Sequence, residues 1–308
     1  MAHAGTEAVN AKAKGLDEQP PASILRLLAD AQVEAANSVH AAVDAIALAA
    51  EIAAGRLAVG GRLFYAAAGS SGLMALADAL ELPGTYGIPS ERVVVLIAGG
   101  RQAFVDLPGA PEDDAAEAAR EVAENGLDAG DCLIALSASG TTPYAVAALD
   151  EAHRRGAATI GIANNAGTPL ATRGDVGIVL ATPPEMIAGS TRMGAGTAQK
   201  IALNMFSTLV AIHLGHVHDG YMVNLRPDNM KLRDRAARIV AAIAGCGRDE
   251  AQRLLEKTGG AVKPAILLAA GADDLGTATR LLAEAGQKLR PALAGLEEGS
   301  TRSHHNRT

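Results

Sequence analysis

Between residues 61 and 183 the chain alternates short, unbroken apolar runs with amphipathic stretches. The apolar runs are RLFYAAA (62–68), VVVLIAG (93–99), CLIALSA (132–138), ATIGIAN (158–164) and VGIVLAT (176–182). The stretches between them include LMALADALEL (73–82), DDAAEAAREVAENG (113–126) and PYAVAALDEAHRRG (143–156), all with helical spacing. Strands that are apolar on both faces and alternate with helices predict an α/β fold: a doubly wound, five-stranded parallel sheet covered on both sides. Before it, residues 1–20 read as a polar arm ending in Pro20-Pro21, and Ser23 is placed to cap a helix from about Ile24 to Ala54. After it come a glycine-rich loop, 188–196, and an apolar helix from about Thr197 to Leu214.

Past Asn224 the pattern turns basic and helical. RDEAQRLLEKTGGAVKPAILLAAG (248–271) is echoed by LGTATRLLAEAGQKLRPALAG (275–295), each with a Leu-Leu helix, a glycine turn, a basic residue and Pro-Ala. Two related helix pairs forming a small helical C-terminal domain are expected. The implied organisation is an N-terminal arm and helix (1–58), the sheet domain (59–225), the helical domain (226–296) and a disordered tail (297–308). In that tail His304 and His305 read as solvated.

Composition narrows the class. Of 308 residues 49% are hydrophobic, yet there are only 4 Tyr, 3 Phe and no Trp, so Ala, Val, Leu and Ile must fill the core. A formal charge of −7 argues against a general nucleic-acid binder. Cys132 and Cys246 form neither a CxxC pair nor a disulfide framework, and no stretch is long enough to span a membrane. MAHAGTEAVN lacks the features of a signal peptide, so a cytoplasmic protein is expected.

The ends of such strands are where ligands bind. Two loops there are rich in small hydroxyl residues: Gly69-Ser70-Ser71-Gly72 after the first strand, and Ser137 to Thr142 after the third. Each precedes a predicted helix, so main-chain N–H groups and the positive helix end converge on an anion. Ala67-x-Gly69-x-x-Gly72 also has the spacing of a dinucleotide loop, but that chemistry expects an acidic residue closing the second strand. Here that strand closes in Ala98-Gly99-Gly100. Loops that are merely helix caps are the remaining alternative. Glu81 lies just before Pro83-Gly84, where a helix is expected to end. Glu112, Asp113 and Asp114 suit a helix N-terminus, where acids are stabilised by the dipole. Arg192, Lys200 and Lys231 each read either as anion contacts or as structural and solvated charges. His213, His216 and His218 read as helix-end caps rather than metal ligands; no metal site is expected.

These features resemble the sugar isomerase (SIS) phosphosugar-binding domain, and within it the N-acetylmuramic acid 6-phosphate etherase family, itself similar to the glucokinase regulatory protein. The resemblance rests on Thr6-Glu7, Asn10, GRLFYAAAGSSG (61–72), DALELPGTYG (78–87), IAGG (97–100) and EDD (112–114). It continues in SASGTTPY (137–144), GSTRMGAGTAQK (189–200), LNMFST (203–208) and NMKLRDRA (229–236), and it covers nearly the whole chain.

The resemblance implies cofactor-free cleavage of the lactyl ether of N-acetylmuramic acid 6-phosphate, giving N-acetylglucosamine 6-phosphate and D-lactate, in cell-wall recycling. Glu81 would be the proton donor and Glu112 the second acid/base, acting at carbon 2. Ser70, Ser71, Ser137, Ser139 and Thr142 would hold the phosphate, with Arg192 and Lys231 as further substrate contacts. A homodimer with a shared active site is implied, the helix at 24–54 supplying part of its interface. Another SIS enzyme, an isomerase or deaminase, and a non-catalytic sugar-phosphate sensor are the alternatives. They are motivated by departures from the family pattern. Val9, Leu73, Thr141 and Gly194 stand where the family has basic residues, Leu80 where it has Ser, and PGAPEDD carries one extra residue.

Overall fold

The computed structural model describes residues 5–305, with the side chains of Phe104 and of residues 299–305 outside that description. The described chain forms two compact units. One runs through Ala79 and resumes over Glu91–Leu209; the other comprises Leu80–Ser90 and the chain from Val210 onward.

In the first unit α1 (Pro21–Asn37) and α2 (Val43–Ala58) precede β1 (Leu63–Ala67). Then follow α3 (Gly69–Tyr86), β2 (Val93–Ile97), α4 (Ala115–Glu124), β3 (Cys132–Ser137), α5 (Pro143–Arg154), β4 (Ala158–Ala163), α6 (Pro169–Arg173), β5 (Val176–Val179) and α7 (Gly194–His213). The five apolar runs are the five strands. All pair in parallel, in the order β2-β1-β3-β4-β5. Strand residues point alternately to the two faces. Phe64, Ala66, Leu133 and Ala135 pack with Ala118, Val122, Ala145 and Leu149 of α4 and α5, while α2 packs along β3, β4 and β5. Alanines let these helices lie close to the sheet, and α6 approaches its backbone directly. A Cβ on Gly161 or Gly177 would overlap the carbonyl oxygens of Leu170 and Ala171.

Local chemistry moves several element boundaries from those expected. Pro21, with its φ already helical, starts α1, and the Ser23 N–H donates to Pro20 O at 2.8 Å instead of Ser23 acting as the cap. The single helix expected over 24–54 is broken by a 3-10 segment, Ser38–Ala42. There Ser38 Oγ donates to Ala35 O at 2.7 Å and competes with the α-helical ladder. In α3 the chain passes through Pro83 to Tyr86, and the turn closes when Gly87, at φ 65°, donates its N–H to Pro83 O. α7 starts at Gly194 because the buried Glu185 carboxylate accepts the N–H groups of Gly194 (3.0 Å) and Ala195 (2.9 Å). The N-terminal arm is held rather than extended: three short 3-10 turns bury Thr6, Asn10 and Leu16.

The second unit contains a short hairpin, β6 (Val217–His218) and β7 (Tyr221–Met222), then α8 (Met230–Ala244), α9 (Arg248–Lys257), α10 (Val262–Ala269), α11 (Leu275–Glu284) and α12 (Leu289–His305). The two echoed sequences form two helix pairs, α9–α10 and α11–α12, turning at Gly259-Gly260 and Gly286-Gln287 with positive φ. Val223, Leu225, Val240, Ile266, Leu267 and Leu282 join their core. Helical backbone continues to His305 through a stretch whose composition reads as disordered, whereas 306–308 and the side chains of His304 and His305 lie outside the described residues. Among the described residues no helix is long and apolar enough to cross a membrane.

The contact between α6 and the sheet sets a stability test. Gly161→Ala forces a methyl into the Leu170 carbonyl, and overpacking of this kind costs about 1–3 kcal/mol. Urea denaturation of the variant should show a lower midpoint with an unchanged slope.

Candidate active site at the carboxyl end of the sheet

β1 lies beside β3 with Ala67 opposite Leu136. From β1 the chain moves outward to β2, and from β3 it moves the other way to β4, so the strand order reverses between them. Ligands bind at such a switch point because the loops on either side diverge and leave a crevice. Both hydroxyl-rich loops emerge there.

Ser137 is the buried last residue of β3. Its Oγ lies 2.6 Å from Thr142 Oγ1 and 3.1 Å from Ser139 Oγ, and the latter two are 3.5 Å apart. Three hydroxyls thus close a triangle. The N–H groups of Gly140 and Thr141 donate to it, at 3.3 Å to Ser137 Oγ and 3.2 Å to Ser139 Oγ. Thr142 is the N-cap of α5, yet its side chain makes no capping bond, so its hydroxyl serves the triangle and not its own helix. The simple cap alternative therefore fails for this residue. On the other side Gly69 begins α3 at φ 54°, with Ser70 half-buried and Ser71 buried in its first turn.

The acidic run after β2 is sorted by the fold. Asp114 is the cap of α4: its Oδ1 accepts the Glu117 N–H at 2.8 Å. Glu112 does something else. It sits in a 3-10 turn, Ala110–Asp113, and its Oε1 lies 2.6 Å from where a Cβ on Gly69 would be. The carboxyl therefore occupies the space of the missing side chain, directly against the loop. Partial burial raises its pKa above the usual carboxylate range, and the neighbouring Asp113 adds to the rise.

Two asparagines that sequence reasoning did not single out, Asn164 and Asn165, help to hold this arrangement. Asn165 Nδ2 lies within donating reach of Thr6 Oγ1 (2.9 Å), Ala138 O (3.3 Å) and Ser139 O (3.3 Å), tying the third-strand loop to the N-terminal arm. Its neighbour Asn164 accepts from Gln199 Nε2 at 3.0 Å, which links α7 to the end of β4. Asn10 Nδ2 donates to Pro184 O at 2.8 Å. A paired Asn-Asn immediately after the fourth apolar run was the available signal.

The remaining candidates are more dispersed. Arg192 and Lys200 are exposed in the first unit, and Arg192 has no ionic or hydrogen-bonding partner among the described residues. Glu81, on α3, and Lys231, in the first turn of α8, are exposed and belong to the second unit. His213 is exposed, while His216 is pushed down to about 4 by burial and by Lys263, so it is neutral at pH 7. Of the positions that depart from the family pattern, Val9, Leu73, Leu80 and Thr141 are exposed. Gly194 differs: a Cβ there would sit 3.1 Å from Glu185 Oε2 and 3.3 Å from Ala35 Cβ.

A family model for the SIS domain matches residues 113–214. The chain is 45% identical to an N-acetylmuramic acid 6-phosphate etherase of Streptomyces avermitilis, over 94% of this chain and 93% of that protein. It is 43% identical to an N-acetylmuramic acid 6-phosphate etherase of Deinococcus radiodurans, over 85% of this chain and 86% of that protein. A solved phosphoheptose isomerase from Francisella tularensis superposes with a TM-score of 0.43 at 25% identity, covering 65% of this chain and 97% of that one. The identity over nearly the full length and the SIS match place the chain in the N-acetylmuramic acid 6-phosphate etherase family.

Proposed function

We propose that this chain is an enzyme acting on an amino-sugar phosphate: it cleaves the lactyl ether of N-acetylmuramic acid 6-phosphate, yielding N-acetylglucosamine 6-phosphate and D-lactate. One observation carries the reading beyond family membership. The half-buried Glu112 carboxyl lies against Gly69, in the loop beside the Ser137–Ser139–Thr142 hydroxyls, so a proton acceptor and an anion cradle share one end of the sheet.

In this mechanism Ser70, Ser71, Ser137, Ser139 and Thr142 hold the phosphate, with the first-turn amides of α3 and α5. Glu112 takes the proton from carbon 2 of the opened sugar. The carbon 3–oxygen bond breaks, the departing oxygen receives a proton from Glu81, and lactate leaves an unsaturated aldehyde. Water then adds at carbon 3, giving up a proton to Glu81, and the proton held by Glu112 returns to carbon 2. A base of raised pKa suits the first step, since proton transfer is most effective when the catalytic pKa approaches the working pH. Arg192 and Lys231 are further substrate contacts in this reading. No step calls for a cofactor.

The same reading makes the protein a homodimer with a shared active site, working in the cytoplasm in cell-wall recycling. Leu25 and Val33 on α1 and Leu48 on α2 are exposed apolar side chains that support an interface there. Two free cysteines suit a reducing compartment.

Incubation with N-acetylmuramic acid 6-phosphate should release D-lactate. Glu81→Gln should lower kcat by about 10²–10⁴-fold, the usual contribution of a positioned proton-transfer group. Undiminished release by that variant removes Glu81 from the mechanism. The pH profile gives a second test. As pH falls through the raised Glu112 pKa the base becomes protonated, so kcat/KM should fall on an acid limb lying above the usual carboxylate range. Asp113→Asn removes one cause of the rise, so that limb should move to lower pH; a limb that stays in place assigns it to another group.

A further inference from the structure

The Ser137–Thr142 loop is fixed from outside itself. Asn165, buried two residues beyond β4, has its Nδ2 within donating reach of Ala138 O (3.3 Å) and Ser139 O (3.3 Å). A peptide unit is planar and trans, so the Ser139 carbonyl and the Gly140 N–H point in opposite directions from one rigid plate. Holding that carbonyl therefore sets where the Gly140 N–H points, which is toward Ser137 Oγ at 3.3 Å. Holding Ala138 O sets the Ser139 N–H in the same way. The tie matters most at the Ser139–Gly140 peptide, because Gly140, at φ 75°, has no side chain to restrict its own rotation.

Asn165 is in turn held by the N-terminal arm. Its Nδ2 lies 2.9 Å from Thr6 Oγ1, and its Oδ1 accepts the Thr6 N–H at 3.4 Å, across 159 residues of sequence. An amide nitrogen carries two hydrogens. Of the three acceptors around it Thr6 Oγ1 is the nearest, which leaves one hydrogen divided between the two loop carbonyls. The threonine hydroxyl thus sets the rotation of the amide that holds the loop. The arm has anchors of its own. Thr6 O accepts the Gly189 N–H at 3.2 Å, and Asn10 Nδ2 donates to Pro184 O at 2.8 Å. Thr6 and Asn10 are buried, and all of these residues belong to the first unit. Contact therefore passes from the arm to one amide, from the amide to a peptide plane, and from that plane to a donor of the loop.

We propose that Thr6 and Asn165 are positioning residues of the phosphate site. The arm, acting through the Asn165 amide, sets the donors of the Ser137–Thr142 loop, and phosphate bound to that loop steadies the arm in return. The inference rests on the phosphate-holding part of the etherase reading. It is tested by titrating N-acetylglucosamine 6-phosphate calorimetrically into the wild type, Thr6→Val, Thr6→Ser and Asn165→Ala. Amide hydrogen exchange of the peptide spanning 5–13 and steady-state kinetics on N-acetylmuramic acid 6-phosphate accompany it. Thr6→Val removes the hydroxyl and nearly keeps the shape. It should weaken the phosphosugar and raise KM about three- to tenfold, with kcat changed less than about twofold, because the lost contact serves ground state and transition state alike. Thr6→Ser keeps the hydroxyl and should restore most of the affinity. Asn165→Ala should weaken binding more than Thr6→Val does, and Thr6→Val carries the test if Asn165→Ala does not fold. In the wild type the ligand should slow exchange of the arm amides, and that protection should be lost in Thr6→Val. Variants with a lower unfolding midpoint but unchanged affinity and unchanged ligand-dependent protection overturn the inference, while lactate release keeps the etherase reading. Ligand-dependent arm protection in a wild type that releases no lactate supports the inference and overturns that reading. A wild type that binds no N-acetylglucosamine 6-phosphate overturns both.

Discussion

Close approach of one carboxyl to one turn organises this end of the sheet: the absence of a side chain at Gly69 lets Glu112 reach the loop after β1. Gly69 is at φ 54°, a conformation side chains resist, and its empty Cβ position is filled by the Glu112 carboxyl. A single methyl at Gly69 would both strain the turn and displace the acid. The loop opposite follows the same rule. Gly140, at φ 75°, has Thr168 and Ala163 where a side chain would be. Both loops place hydroxyls and amides, never a long cation, at the ends of β1 and β3.

Rigidity at this end of the sheet comes from amides and not from ion pairs. Asn165 ties the third-strand loop to Thr6, while Asn164 and Gln199 tie β4 to α7. Glu185 caps α7 from outside the helix. Each of these groups is buried and most of its bonds are made, which is the condition under which a polar network orders a structure rather than weakening it. Farther along α3, Asp78 accepts from Tyr65, Asn204 and Ser207, each at 2.8 Å, and so fixes the helix against β1 and α7.

The second unit uses the opposite electrostatic device. Its two helix pairs enclose an apolar core, and Lys263 is buried with its Nζ donating to the Gln287 carbonyl and, among the described residues, with no ion-pair partner. The loops of the first unit carry neutral donors, N–H groups and hydroxyls, whereas the second unit buries a lysine.

Hydrophobic patterning alone determined the five parallel strands and the positions of the loops between them, because strands apolar on both faces have one stable arrangement. It also marked both hydroxyl loops, since small residues between a strand and a helix are a local signal. The helix pairs were legible for the same reason, through their spacing and glycine turns. Tertiary structure decided what spacing does not encode. It broke the helix at Ser38–Ala42, carried α3 past Pro83, and assigned Asp114 to the cap while turning Glu112 toward Gly69. It also buried Lys263, which in the sequence is one basic residue among several. Each outcome depends on contacts between residues distant in sequence, or on a side chain competing for its own backbone, and neither leaves a period to read.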